Sequence, residues 1–296
     1  MAGKKIGYRF ALIGFPWDMG ASLGRPGARY APKSVRDALK WFFNRVKDGK
    51  VFDVETGRLA DLTRVVVEDV GDVEVFAHDT LKTFDAAYRV VKNVIDRGFK
   101  PIVIGGDHSV TYPCVKALHD SAAGKLGIVQ FDAHLDLVDE TPHQGRYSHS
   151  SEIRRALELE RVEKVVQIGV RGYNYPFHYH DVKNFNIVQL TPGDIHRLGT
   201  SSAVETVLRE LEGVSHVYIT VDIDVLDPAF APGCGANEPG GLTPWELMEI
   251  LKRLAPYADA FDVVEVNPLF DPNGVTASIA AKLVFDFIVY SSNPLD

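Results

Sequence analysis

The fold is most strongly indicated by the stretch Leu126-Gly-Ile-Val-Gln-Phe-Asp-Ala-His-Leu-Asp136, in which an apolar, β-branched run leads directly into Asp and His residues. Two other stretches share this form, Pro101-Ile-Val-Ile-Gly-Gly-Asp-His108 and His216-Val-Tyr-Ile-Thr-Val-Asp-Ile-Asp224. In a parallel sheet, strands of this kind bring their carboxyl ends to one edge, where α/β proteins place their sites. We therefore expect six polar side chains to meet at that edge: His108, Asp132, His134, Asp136, Asp222 and Asp224.

These six side chains predict a metal centre. Four carboxylates packed closely would repel one another and take up protons, and divalent cations keep them ionised. An oxygen-rich set with two imidazoles suits Mn²⁺ or a similar ion better than a metal that prefers thiolates, and six ligands suffice for two ions. On an extended strand, Asp132, His134 and Asp136 would share one side, and Asp222 and Asp224 repeat that spacing. The alternative for any single Asp is an N-cap of the following helix.

The composition limits the classes of protein. The chain has 296 residues and a net charge of −8, which argues against a nucleic-acid partner and suits a small cationic substrate. Two cysteines, Cys114 and Cys234, exclude a disulfide framework and indicate reduced cytosolic thiols. The N-terminus lacks the apolar segment of a signal peptide, and no run approaches the roughly 18 apolar residues of a membrane span. We expect a cytoplasmic protein without a membrane partner.

Strand-like runs alternate with segments of helical period along the whole chain, which predicts a parallel sheet with helices on both faces. The predicted strands are 7–14, 64–69, 101–105, 126–132, 164–169, 186–190, 216–223 and 260–266. The predicted helices are 33–46, 78–98, 109–120, 151–160, 202–212, 244–254 and 275–289. Thr243-Pro244 marks a helix start, an N-cap residue before a proline. We predict one three-layer αβα domain over residues 1–296, with a (βα)₈ barrel as the alternative.

The motifs resemble those of the ureohydrolases, the family of arginases, agmatinases and their guanidino-acid and formimidoylglutamate relatives. The matching stretches occur in family order over nearly the whole chain: Gly24-Arg-Pro-Gly-Ala-Arg29, Gly105-Gly-Asp-His-Ser109, Asp132-Ala-His-Leu-Asp136, Val221-Asp-Ile-Asp-Val-Leu-Asp-Pro228, Glu238-Pro-Gly-Gly-Leu242 and Val264-Glu-Val-Asn-Pro268. The resemblance is closest to agmatinase-like proteins of the plant-type and archaeal branch, which contains arginases and agmatinases. It implies a single α/β domain around a parallel eight-stranded sheet and a homo-oligomer, either a trimer or a hexamer.

The resemblance also implies two Mn²⁺ ions per subunit. His108, Asp132, Asp136 and Asp222 would hold one ion, and Asp132, His134, Asp222 and Asp224 the other, so that Asp132 and Asp222 bridge them. Ligand type alone leaves Co²⁺, Ni²⁺ and Fe²⁺ open.

Three residues receive catalytic roles from the resemblance. Asp136 would orient the attacking water, whose pKa metal ions lower. His149 would shuttle protons, with His143 of the same loop as the competing candidate. Glu265 would face the guanidinium of the substrate.

The substrate remains open between several guanidino compounds. Residues 137–148 lack the Asn and Ser arrangement with which animal-type arginases hold an α-carboxylate, which favours agmatine and its conversion to urea and putrescine. Arg146, in the same loop, would instead suit an acid, since a guanidinium pairs bidentately with a carboxylate. That role would fit arginine, guanidinobutyrate or formimidoylglutamate, and the alternative for Arg146 is a surface position.

Two alternative hypotheses assign the chain to other functional classes, namely a catalytically silent regulatory homologue and a dinuclear phosphoesterase. The complete ligand set with His149 and Glu265 argues against the first. A phosphate substrate would need cationic groups rather than Glu265. The aromatic segment 173–180 is open between packing, a subunit contact and a substrate wall, and Cys234 lies close enough in sequence to Asp224 to approach the site.

Overall fold

Ten β-strands and eight α-helices form within residues 7–21, 25–140 and 142–295, the residues that the computed structural model describes. The strands are β1 (Arg9–Gly14), β2 (Lys50–Asp53), β3 (Arg58–Asp61), β4 (Val66–Asp72), β5 (Lys100–Ile104), β6 (Leu126–Phe131), β7 (Val162–Ile168), β8 (Val188–Leu190), β9 (His216–Asp222) and β10 (Ala260–Val264). The helices are α1 (Ala31–Phe43), α2 (Thr80–Asp96), α3 (Thr111–Ser121), α4 (Glu152–Ala156), α5 (His178–Asn184), α6 (Pro192–Glu210), α7 (Pro244–Leu254) and α8 (Val275–Ser292).

Eight strands pair in parallel in the order β4-β1-β5-β10-β9-β6-β7-β8, and they are the eight runs predicted from the sequence. The sheet is open, with β4 and β8 at its edges, so the barrel alternative is wrong. The four central strands, β5, β10, β9 and β6, are consecutive neighbours. Residues that follow these strands therefore meet at one place on the carboxyl edge.

The sheet separates two hydrophobic cores, which makes the molecule a three-layer αβα domain as predicted. Side chains alternate between the cores along each strand, as a two-residue period requires. In β1, Phe10 and Leu12 face one core, and Ala11 and Ile13 face the other. Helices α1, α6, α7 and α8 cover the first core, and α2 to α5 cover the second.

Some elements depart from the predicted pattern. The antiparallel hairpin of β2 and β3 and the short helix α5 were not predicted. Helix α6 begins at Pro192, ten residues before the predicted start, because Thr191 and Asp194 form a capping box there, and its helical conformation is interrupted at Gly199. The predicted start of α7 is confirmed, since the Thr243 side chain accepts a hydrogen bond from the backbone of Glu246.

Helix α8 is long and apolar enough, by length and composition, to cross a membrane. No run of this length and apolar character was predicted from the sequence. However, 72% of the helix is buried inside the fold, against α1 and α7, so it forms part of the hydrophobic core.

Candidate metal centre and substrate cavity

A buried chain of hydrogen bonds fixes which ring nitrogen of His108 faces the sheet edge. His108 follows β5, and its Nε2 lies 2.9 Å from Oγ1 of Thr220 on β9. The Thr220 hydroxyl donates at 2.5 Å to Asp262, a carboxylate that also accepts from Thr111 and Tyr218. Because the hydroxyl proton is engaged with Asp262, Thr220 accepts the proton that Nε2 carries. In the neutral ring, Nδ1 therefore holds the free lone pair.

That nitrogen of His108 lies among carboxylates. Nδ1 is 3.0 Å from an oxygen of Asp132, 3.0 Å from one of Asp136 and 3.4 Å from one of Asp222, and none of these contacts has hydrogen-bond geometry. All four side chains are buried. A lone pair facing anionic oxygens is stable only with a cation among them, and one proton cannot neutralise several carboxylates. The donor set thus fits a divalent ion.

A second donor set lies beside the first. Nδ1 of His134 is 3.1 Å from Oδ2 of Asp224 and 3.5 Å from Oδ1 of Asp132. Asp132 thus presents Oδ2 to His108 and Oδ1 to His134, which is the arrangement of a bridging carboxylate. Oδ2 of Asp224 is buried without a hydrogen-bond partner. The two sets together have the composition expected of a pair of hard divalent ions.

The ligands of the Asp132–Asp136 segment converge through a turn, and the expectation that they share one side of an extended strand is wrong. Strand β6 ends at Phe131. Beyond it, the backbone N–H of His134 donates to Oδ1 of Asp132 at 2.6 Å, and that of Ala133 donates to Asp224 at 3.0 Å. Asp136 has φ of +51°, in the left-handed region that Asp tolerates better than most residues. These hydrogen bonds and this backbone turn aim the side chains.

The end of β9 is built in a similar way. Asp222 ends the strand, and Asp224 lies in a 3₁₀ helix (Ile223–Val225). Oδ1 of Asp222 accepts a 2.8 Å hydrogen bond from the N–H of Asp224, so one oxygen has the capping role expected of a lone Asp while the other faces His108. Arg171 fixes the turn, since its guanidinium donates to the carbonyls of Asp224 at 2.8 Å and Leu226 at 3.3 Å.

The electrostatics of the cluster indicate a deficit of positive charge. Burial, with the charges of Asp224 and Asp132, raises the pKa of Asp222 well above its ordinary value. Burial opposes ionisation of Asp132 as well, but its interactions with the rings of His108 and His134 hold the pKa of that carboxyl below its usual range. The charge of Asp224 strongly raises the pKa of His134. Bound divalent ions would supply the missing charge.

Glu265 and His149 form a pair beside the carboxylate cluster. Glu265 follows β10 with φ of +62°, and its Oε1 accepts from the N–H of His108 at 2.9 Å. Nδ1 of His149 lies 3.3 Å from the same oxygen. Burial opposes protonation of His149, but the hydrogen bond to Glu265 and the charges of Glu265 and Asp107 raise the pKa of His149 to about 9.

A cavity of about 170 Å³ opens onto this pair and onto the cluster. The predicted site residues in its wall are His134, Asp136, His149, Asp222, Asp224 and Glu265. His108 and Asp132 do not line it. Gln144 and Ser150, in the loop that carries His149, also line the cavity, although neither was predicted as a site residue. Three further wall residues, Asn174, Tyr175 and His178, belong to the aromatic segment whose role was open. The dense aromatic composition of residues 173–180 was the signal for this wall.

The remaining predicted residues lie apart from the cavity or at its margin. Nη2 of Arg146 donates to both carboxylate oxygens of Glu158 at 2.7 Å, Nη1 donates to Asp139 at 3.1 Å, and the side chain does not line the cavity. His143 is exposed. Cys234 does approach the cluster, since its sulfur lies within 4.8 Å of ligand atoms of Asp222 and Asp224. The Gly24–Arg29 match begins at a residue outside the described part of the chain.

The chain is similar to known proteins over most of its length. A family model described as the Arginase family matches residues 8–290. The chain is 34% identical to the mitochondrial agmatinase of Gallus gallus, covering 94% of this chain and 79% of that protein. It is also 34% identical to the guanidinopropionase of Pseudomonas aeruginosa, covering 94% and 85%. The crystal structure of the agmatine ureohydrolase of Thermoplasma volcanium superposes with a TM-score of 0.80 at 31% identity, over 96% of this chain and 90% of that one.

Proposed function

The chain belongs to the arginase family, whose members hydrolyse guanidino compounds, and we propose that its own substrate is agmatine, cleaved to urea and putrescine. Overall identity does not separate the candidate substrates, since the chain is 34% identical both to an agmatinase and to a guanidinopropionase. The observation that carries the proposal is the charge of the cavity wall. Among the described residues that line the cavity, none is Lys or Arg, and Glu265 is the one acidic residue that is not a predicted metal ligand.

Because Glu265 is an acidic wall residue outside the metal ligands and no described wall residue is Lys or Arg, the cavity favours a substrate whose charges are all positive. Agmatine carries a guanidinium and an amine, while arginine and the guanidino acids carry a carboxylate that would need a partner. The nearby guanidinium groups of Arg146 and Arg171 do not meet that need, because Glu158 engages the first and backbone carbonyls engage the second. We therefore propose that Arg146 is a surface residue of the loop, which was the alternative to a role as substrate anchor.

The residues around the cavity have separate roles in the reaction. A pair of divalent ions, when bound, would supply Lewis acidity and would lower the pKa of water toward neutrality. The six side chains named from the sequence would hold such a pair. Asp136 orients the attacking water. Water adds to the guanidinium carbon, the C–N bond to the departing amine breaks, and that nitrogen gains a proton.

His149 is the proposed proton carrier. Its side chain lines the cavity, and the hydrogen bond to Glu265 favours the protonated ring that a donor requires. Oε1 of Glu265 is occupied by the N–H of His108 and by His149, which leaves Oε2 as the oxygen for the substrate's guanidinium. Removal of the His149 side chain should therefore impair proton transfer, and removal of the Glu265 side chain should impair substrate orientation.

We also propose the native metal ion, the oligomeric state and the location of the protein. The oxygen-rich donor set supports Mn²⁺ as the native ion, with Co²⁺, Ni²⁺ and Fe²⁺ as alternatives. The family resemblance supports a homo-oligomer, either a trimer or a hexamer. The free, buried cysteines support a cytoplasmic location.

The deciding experiment measures urea release by the Mn²⁺-loaded protein from agmatine, arginine, 4-guanidinobutyrate and 3-guanidinopropionate, with formamide release from formimidoylglutamate alongside. A kcat/KM for agmatine at least about tenfold above the others supports the proposal, because the unpaired carboxylate of a competing acid costs more than 1 kcal/mol. A preference for an acid would contradict the charge argument. Bound metal without turnover of any compound would identify a silent homologue.

A further inference from the structure

Glu152 is a buried carboxylate that the six predicted ligands do not account for. It is the first residue of α4, three positions after His149. It is 1% exposed, and neither of its carboxylate oxygens has a hydrogen-bond partner among the described residues. A buried carboxylate without hydrogen bonds is costly unless a cation is bound to it. The position therefore calls for a positively charged partner.

Within the described residues, the only basic side chain within 4 Å of a Glu152 oxygen is His108, which belongs to the metal cluster. Oε1 of Glu152 lies 3.6 Å from Nδ1 of His108, the nitrogen whose lone pair faces the carboxylates. Ligand atoms of Glu152, His108, Asp132 and Asp136 all lie within 4.8 Å of one another. This spacing is compatible with four donors around a single cation.

The backbone holds Glu152 at this position. The N–H of Arg154, in the same helix, donates to the carbonyl of Asp136 at 3.1 Å, which ties α4 to the ligand turn. Ahead of the helix, the N–H of Ser148 donates to Oγ of Ser151 at 2.9 Å. Glu152 is thus placed by the same loop that carries His149.

We propose that Glu152 is a seventh ligand of the metal centre and binds the ion on the His108 side. The inference rests on the metal pair of the proposed function, and it extends the ligand set that the family resemblance implies. The added carboxylate oxygen, a hard ligand, favours Mn²⁺ at this position over ions that prefer nitrogen or sulfur. Five carboxylates around two divalent ions also leave one net negative charge beside a cationic substrate.

The test compares metal binding by the wild type, Glu152→Gln and Glu160→Gln. Glutamine keeps the shape of the side chain and removes its charge. Glu160 follows the same helix with its side chain 81% exposed and serves as the matched control. Mn²⁺ is titrated by calorimetry, and bound metal is counted after dialysis. We expect E152Q to bind one of the two ions at least about tenfold more weakly, with E160Q unchanged, since even ligand-supporting residues are worth that much.

Two further measurements separate ligation from a structural role. With chelator present, E152Q should unfold at the same or a higher temperature than the wild type, because an uncompensated buried charge is gone. With Mn²⁺, it should gain less stability. In electron paramagnetic resonance, the wild type should give the signal of a spin-coupled Mn²⁺ pair. At the same metal concentration, E152Q should give the signal of an isolated Mn²⁺ ion.

Double variants assign the ion. If Glu152 and His108 bind the same ion, then H108N and E152Q should each weaken the binding of that one ion, and the double variant should still keep the other. The combination of E152Q with D224N should lose both. Unchanged Mn²⁺ affinity in E152Q, or equal weakening of both ions, would overturn the proposal. If E152Q weakens one ion as expected but agmatine is not the preferred substrate, only the proposed substrate is refuted. The two failures are therefore distinguishable.

Discussion

Nε2 of Gln130 donates a 2.7 Å hydrogen bond to Oδ2 of Asp132 inside the sheet, two residues before that ligand in the chain. Gln167 donates to Gln130 at 2.7 Å, and Gln189 donates to Gln167 at 2.9 Å. The three glutamines are register neighbours on β6, β7 and β8. Because an ionised Asp132 can only accept, each amide in the row has one allowed orientation. A polar row thus connects the sheet edge to the carboxylate that faces both histidines.

Replacing Gln130, which is not itself a ligand, with Met should weaken metal binding. The variant removes the donor that orients Asp132, and residues of this kind are worth about 10- to 100-fold in metal affinity. The free energy of unfolding should also fall by roughly 1–3 kcal/mol, because the neighbouring buried polar groups lose a partner. Mn²⁺ titration and denaturant unfolding measure both effects. Gln189→Met, at the far end of the row, is the control, and equal metal affinity in all three proteins would contradict the role of Gln130.

His149→Asn should keep both metal ions and lose most of the rate. Removal of a positioned acid–base group lowers kcat by about 10²- to 10⁴-fold. Metal counting and steady-state kinetics with agmatine test the prediction. The exposed His143 of the same loop provides the control, since His143→Asn should retain wild-type kcat. The assignment would have to be exchanged if the His143 variant were the slow one.

Glu265→Gln should change the titration of His149. The hydrogen bond and charge of Glu265 raise the pKa of His149 to about 9 against the effect of burial. Without that charge, the pKa should fall by at least about one unit. Histidine NMR titration of the metal-depleted protein measures it, with Glu205→Gln on the exposed side of α6 as the control. An unaltered His149 titration would show that the pair does not couple.

Arg146→Gln should leave catalysis within about twofold of the wild type for every guanidino substrate, because surface ion pairs contribute little. The guanidinium is engaged by Glu158 and Asp139 rather than by the cavity. Steady-state kinetics with agmatine and 4-guanidinobutyrate measure the effect. A selective loss of kcat/KM for the acid would restore Arg146 as a substrate anchor.

Metal-depleted protein should lose stability as the pH rises. Burial and the charge of Glu265 raise the pKa of Asp107 from 3.8 to about 7, and the pKa of His149 is raised from 6.5 to about 9. The folded state therefore binds more protons than the unfolded state between 3.8 and about 9, so the free energy of unfolding decreases as the pH rises through that range.

Thermal unfolding with chelator at about pH 5.5 and about pH 8 tests this sign. Divalent metal replaces the protons, so the increase in Tm on adding Mn²⁺ should be larger at the higher pH. Greater stability of the chelated protein at the higher pH would show that the buried carboxylates are not the dominant titrating groups.

The strands and the metal ligands could be predicted from the sequence for a simple reason. Short β-branched runs between helical segments have a strong period, and all eight strands of the parallel sheet were predicted from it. Asp and His placed directly after such runs must lie at the carboxyl edge of a parallel sheet, whatever the order of the strands. His108, Asp132 and Asp222 could therefore be named as neighbours before any coordinates.

The sequence pattern did not contain the information that distinguishes Glu152 from a surface helix residue or Arg146 from a substrate anchor. Both follow from long-range packing: the first helical turn of α4 is buried against the ligand turn, and Glu158 lies where it can pair with Arg146. The orientation of the ligands also came from tertiary contacts, namely the turn at Asp136 and the hydrogen bonds from Gln130 and Thr220. Local periodicity reports which residues face a core, whereas the partner of a buried charge depends on which distant segments the fold brings beside it.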